Sequence, residues 1–110
     1  MFTKSQINNI LEKIINGYDP EKIYIFGSYA TKTANDDSDL DILIIKDTAS
    51  SFFNRIREVR KLIQPQSLPV DIIAYTPTEF NEKKEFVNHI AYIVNKEGKL
   101  VYERKHVKLA

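Results

Sequence analysis

The spacing of apolar positions changes several times along the chain, and each change marks an element. Ile7, Ile10, Leu11, Ile14 and Ile15 recur at helical intervals, which predicts an amphipathic helix over Thr3 to Ile15 with a Thr3–Gln6 capping box. Gly17 reads as its stop, and Asp19-Pro20 turns the chain into a first strand, Lys22 to Phe26. A Gly27-Ser28 turn, a short helix over Tyr29 to Thr33 and a loop of turn formers from Asn35 to Ser38 come next. Leu40 to Lys46 is apolar on both faces behind its leading acids, the pattern of an interior strand.

Helical spacing returns over Ser50 to Ile63. Phe52, Phe53, Ile56, Val59, Leu62 and Ile63 read as inward positions, with Arg55, Arg57, Arg60 and Lys61 as the solvated ones. Pro65 and Pro69 bracket a loop before a third strand, Val70 to Tyr75. Thr76-Pro77-Thr78-Glu79 combines a cap, a proline at the first helical position and a glutamate three residues after the cap. It predicts a helix whose apolar face is Phe80, Phe86, Val87, Ile90, Ala91 and Val94, ended by Gly98. Leu100-Val101-Tyr102 reads as a short closing strand, and Glu103 to Ala110 as a tail or a partner-dependent segment. Strands separated by helices make this an α/β or α+β domain, single over residues 1–110.

Composition narrows the function classes. A length of 110 residues suffices for one core. A formal net charge of +1 argues against a strongly electrostatic nucleic-acid binder. Without cysteine there is no disulfide framework and no thiolate zinc site, and two histidines far apart argue against zinc of any kind. No apolar run approaches the roughly 18–20 residues that span a bilayer, and the N-terminus lacks a signal-peptide pattern. A cytoplasmic protein with no membrane partner is the simplest reading.

The chemistry concentrates between residues 27 and 45. On a strand, Asp39 and Asp41 leave the same face, roughly 7 Å apart along the chain. Carboxylates so placed repel each other unless a cation lies between them, and hard oxygen ligands suit magnesium or manganese better than zinc. A bare Asp-x-Asp is usually a pair of solvated acids. Here, though, Asp41 sits between Leu40 and Ile42 in an apolar strand, where an unpaired charge would cost several kcal/mol. Asp71 enters an apolar strand in the same way, and would converge with the pair if the two strands are neighbours. Three acids around one or two divalent ions suit an in-line displacement. Asp36 and Asp37 have the weaker claim of loop acids.

Gly27 and Ser28 complement the acids. A strand-to-helix turn exposes backbone N–H groups that can bind phosphate oxygens, although the same pair also reads as a tight turn in which only glycine fits. Lys32 lies near enough to reach a phosphate and otherwise reads as a surface lysine. His89 and His106 read as a helix-surface residue and a tail residue. Phosphate cradle and metal clamp together suggest phosphoryl or nucleotidyl transfer.

Ile25-Phe26-Gly27-Ser28-Tyr29-Ala30 followed by Ser38-Asp39-Leu40-Asp41-Ile42-Leu43-Ile44 resembles the signature of the DNA polymerase beta-like nucleotidyltransferases. More narrowly, it is similar to the minimal nucleotidyltransferases, the small partners of HEPN-domain ribonuclease toxins. The leading helix, the Val70-Asp71-Ile72 strand and Lys96 to Tyr102 extend the likeness over most of the chain. The resemblance implies a nucleotidyltransferase fold, a small mixed sheet backed by helices. It implies transfer of a nucleoside monophosphate from a nucleoside triphosphate with release of pyrophosphate, with Gly27 and Ser28 on the triphosphate. It further implies magnesium on Asp39, Asp41 and Asp71, with Asp71 helping to deprotonate the acceptor hydroxyl. Members often carry a basic residue at the position of Thr31 and glycine at that of Lys32; here the basic group comes one place later and the glycine is missing.

The leading expectation is thus a magnesium-dependent, type VII-like antitoxin that adenylylates a hydroxyl, a tyrosine by preference, on a HEPN toxin in a hetero-oligomer. A chain this short has no second domain to hold an acceptor, which favours a protein partner. Two alternatives stay open: an antitoxin that neutralises by binding alone, and nucleotidyl transfer to a small molecule or to RNA.

Overall fold

The computed structural model describes residues 1–66 and 68–105. Among the described residues, nine elements follow in order: α1 (Lys4–Tyr18), β1 (Lys22–Phe26), α2 (Ser28–Thr31), β2 (Leu40–Ile45), α3 (Phe52–Ile63), β3 (Val70–Tyr75), α4 (Pro77–Lys83), α5 (Ile90–Glu97) and β4 (Lys99–Glu103). The strands form one mixed sheet in the order β3-β2-β1-β4. β1 is antiparallel to both β2 and β4, whereas β2 and β3 run parallel, joined by the α3 crossover. The fold is therefore α+β, as the element pattern implies.

Strand alternation divides the core in two. Ile23, Ile25, Leu40, Ile42, Ile44, Ile72 and Ala74 pack with α1 and α3, where Ile10, Ile14, Val59 and Ile63 are fully buried. Leu43, Ile45 and Tyr75 look the other way and meet Phe80 of α4 and Ala91 and Val94 of α5. β2 is covered on both faces, in keeping with its continuous apolar run. Asp41 is the exception within it, on the α5 face but near the strand's start.

Local signals hold at several termini. Thr3 accepts from the Gln6 N–H while Gln6 returns a side-chain acceptor to Thr3 N–H, and Thr76 with Glu79 repeats the device ahead of Pro77. Elsewhere packing overrides the pattern. α1 does not stop at Gly17 but runs to Tyr18, with Asp19 in the left-handed cap. Gly17 is instead where α1 presses on α3: an added Cβ would lie 2.5 Å from a Leu62 methyl.

Arg55 is not a solvated position. It is 6 % exposed, and it donates to Ser50 O, Ala74 O and Glu79 Oε1 at 2.8, 3.1 and 2.6 Å. Phe53, expected inward, is 72 % exposed, and Phe52 lies at the surface beside Tyr75. The helix expected to continue from Thr76 breaks into α4 and α5, with Asn88 at φ 72° between them. Phe86 and Val87 are consequently exposed in that turn. His89 is the N-cap of α5 and no mere helix-surface residue, its Nδ1 accepting from the Ala91 N–H at 3.0 Å. β4 runs one residue further than expected at each end, and Arg104 after it donates to Glu21 O and pairs with Asp19. His106 and the rest of the tail to Ala110 lie outside the described residues.

Candidate active site

β1 leaves the sheet at Phe26, and the next residue must reverse the chain into α2. Gly27 does so at φ 71°, ψ −151°, a conformation close to the glycine-only region. Its carbonyl accepts from the Ala30 and Thr31 N–H groups at 3.0 and 3.1 Å, closing the first turn of α2. Ser28 opens that turn, so its own N–H has no acceptor within the helix. Gly27 also borders the carboxylates: a Cβ built on it would stand 2.3 Å from Asp41 Oδ2. The Gly-Ser turn and the acids expected of a single site are therefore neighbours in space.

Asp39 lies just before β2, and Asp41 is the strand's second residue, paired across with Phe26 on β1. On the other side the parallel ladder sets Asp41 directly beside Asp71 of β3. Both side chains thus leave one face of the sheet, and Asp71 is within hydrogen-bonding reach of Asp41 and of Asp39. Desolvation, followed by the charge and proximity of Asp71 and then by the charge of Asp39, pushes the Asp41 carboxyl up from 3.8 to about 6. Desolvation and the adjoining Asp71 raise Asp39 as well.

Among the described residues no three His, Cys, Asp or Glu side chains are drawn together tightly enough to chelate one ion. The three aspartates nevertheless fit a divalent cation. They offer only hard oxygens, and Asp41 and Asp71 stand side by side on one face of the sheet, where a cation would relieve their mutual repulsion. Phe26, beside Asp41 and half-buried, adds an apolar wall that motif reading passes over, although alternation with Tyr24 places it on that face. Lys32 stands apart. It caps α2 in the left-handed conformation at φ 61°, the backbone that a glycine would adopt without strain. Its exposed side chain lines a groove that contains none of the three aspartates.

The raised Asp41 value carries a stability consequence in the absence of divalent cations. A carboxyl whose folded value exceeds its unfolded one destabilises the fold once it must ionise, so the penalty appears as pH rises from about 4 through 6. After discounting for the exposed part of the side chain, the penalty is about 1 kcal/mol. Asp41→Asn should therefore melt higher than wild type at pH 7 in EDTA and lose that advantage at pH 4. A lower melting temperature for the variant at pH 7 would refute the assignment.

The fold is that of a nucleotidyltransferase domain. Residues 6–107 match the family described as Polymerase beta, Nucleotidyltransferase, and the chain belongs to that family. Among solved structures it is similar to a candidate nucleotidyltransferase from Sulfolobus solfataricus, at 25% identity and a TM-score of 0.64, covering 91% of this chain and 79% of that one. A toxin–antitoxin solved with AMP-PNP aligns at 21% identity and TM-score 0.60 over 94% of this chain and 76% of the other. A mutant form of the toxin–antitoxin MntA-HpeT aligns at 19% and 0.56 over 96% and 76%. These last two show likeness of fold. No curated protein matches by sequence. Among the described residues no helix is long and apolar enough to cross a membrane.

Proposed function

We propose that this chain is a cytoplasmic minimal nucleotidyltransferase that transfers AMP from ATP to a hydroxyl, a tyrosine by preference, of a HEPN-domain toxin and so neutralises it. The observation that carries the reading is the meeting of Asp39, Asp41 and Asp71 beside the Gly27-Ser28 turn. The two toxin–antitoxin structures among its fold neighbours, one of them solved with AMP-PNP, support the choice of partner and donor.

Phosphate oxygens of the triphosphate would meet the N–H groups that open α2 at Ser28. The acceptor oxygen attacks the α-phosphorus in line, the bond to the bridging oxygen breaks, and pyrophosphate leaves. Asp71, the acid farthest from the turn in sequence, takes the hydroxyl proton. Magnesium, held by Asp39, Asp41 and Asp71, would supply charge neutralisation on the phosphates and a lowered pKa for the attacking hydroxyl. Positioning by the rigid strands provides much of the remaining advantage.

Intact mass of a co-expressed HEPN-type partner, after incubation with ATP and magnesium, tests the reading. Wild type should add one or more AMP units. Asp39→Asn/Asp41→Asn should lower the rate by at least about 10³-fold, several kcal/mol of lost charge stabilisation. A second reading, neutralisation by binding alone, is favoured by the position of Lys32 in a groove away from the carboxylates. A stable complex with no mass change for either protein would select it and sink transfer.

A further inference from the structure

On the sheet face opposite the aspartates, between the start of α1, α2 and the edge strand β4, lies a groove of about 600 Å³. Its floor is apolar, built from Phe2, Leu11 and Ile25, while Leu100 remains 43 % exposed at its border. Lys4, Lys32 and Lys99 stand around it, all exposed. Among the described residues no acidic side chain lines the groove and none forms an ion pair with these lysines. Lysine on an edge strand commonly serves to prevent strand pairing between chains. That accounts for Lys99 alone, because Lys4 and Lys32 lie on helix termini.

We propose that this groove docks an acidic amphipathic segment of the partner protein, apolar side chains on the floor and carboxylates against the three lysines. Charge complementarity selects the occupant. The shape is that of a helix-in-groove site, apolar within and charged at the rim. The groove also adjoins the chemistry. Ile25 lines it, and two residues further on Gly27 touches Asp41 on the other side of the sheet. A segment seated here holds the rest of its protein within reach of the acids.

The inference rests on the reading that the chain acts on a protein, but not on catalysis. The probe is an 18-residue amphipathic helical peptide with leucines on one face and glutamates on the other, compared with its lysine counterpart by calorimetry on the full chain. The acidic peptide should bind saturably, weaken at least about fivefold between 50 and 300 mM salt, and the basic peptide should not bind. Lys4→Glu/Lys99→Glu, surface changes that leave the core intact, should weaken the acidic peptide at least tenfold, and Leu100→Glu should do the same. Magnesium-ATP affinity should be unchanged in the lysine variant. Its absence in wild type would count against the catalytic reading and not against the groove. No saturable binding, equal binding of both peptides, or indifference to the lysine pair would overturn the proposal. So would self-association abolished by Leu100→Glu, which would give the groove to a second copy of this chain.

Discussion

Arg55→Ala should cost this domain about 2–4 kcal/mol and lower its melting temperature by about 10–15 °C, a large share of the stability of a 110-residue chain. The guanidinium ties the loop before α3 to the end of β3 and to α4 through Ser50 O, Ala74 O and Glu79. Removing it strands those acceptors in a site where the arginine side chain is 7 % exposed. Burial acts to raise the Glu79 carboxyl, but the Thr76 backbone N–H and the Arg55 guanidinium outweigh it and hold the group below its usual range. Stability from that depression is present above the ordinary carboxylate value and lost as pH falls through the lower folded one. The gap between wild type and Arg55→Ala should accordingly narrow in acid. Arg55→Lys should recover only part of the loss, since an ammonium cannot reproduce the fork. Thermal unfolding at pH 7 and in acid checks this; a shift under about 2 °C for Arg55→Ala would show that the network contributes little.

Gly27→Ala should reduce the proposed AMP transfer by about 10²-fold or more and destabilise the fold by about 2 kcal/mol. Two causes act together. The backbone at φ 71° and ψ −151° is strained for any side chain, and the new methyl would meet Asp41 Oδ2 at 2.3 Å. Displacing that carboxylate by even an ångström removes it from the geometry an in-line transfer needs. A double-mutant cycle separates the causes. In an Asp41→Ala background the collision disappears while the strain persists, so Gly27→Ala should cost less stability there by about 1 kcal/mol. Equal cost in both backgrounds would mean that the contact with Asp41 is not what requires glycine.

Much of the fold was legible because periodicity and capping agree. Thr3–Gln6 and Thr76–Glu79 mark helix starts through bonds confined to one turn, and β2 announces its interior position by the apolar run Ile42 to Ile45 behind Asp41. What could not be read depends on groups distant in the chain. Arg55 has the spacing of a solvated face, and only the approach of Glu79 and Ala74 makes its burial tolerable. Gly17 looks like a helix stop until Leu62 arrives against it. Phe86 and Val87 carry an apolar pattern with no surface to cover, because α4 ends at Lys83 before reaching them. The candidate site was the more legible part. Its aspartates lead apolar strands and its glycine ends one, so each signalled itself locally; that Asp71 lies beside Asp41 needed the strand order. Lys32, placed by sequence next to the phosphate turn, also lines the groove that holds none of the aspartates.

The parallel ladder between β2 and β3 separates two things that the chain could have coupled. Asp41 and Asp71 are thirty residues apart, yet their juxtaposition is set by strand register and not by the length of what joins them. Extra residues entering between α3 and β3 would leave the acids where they are, at a closure cost that grows only slowly with loop length. One residue gained or lost within β3 would turn Asp71 to the opposite face and expose its apolar partners. The crossover is thus open terrain for evolutionary or engineered insertion, while the six consecutive positions of β3 admit no change in count.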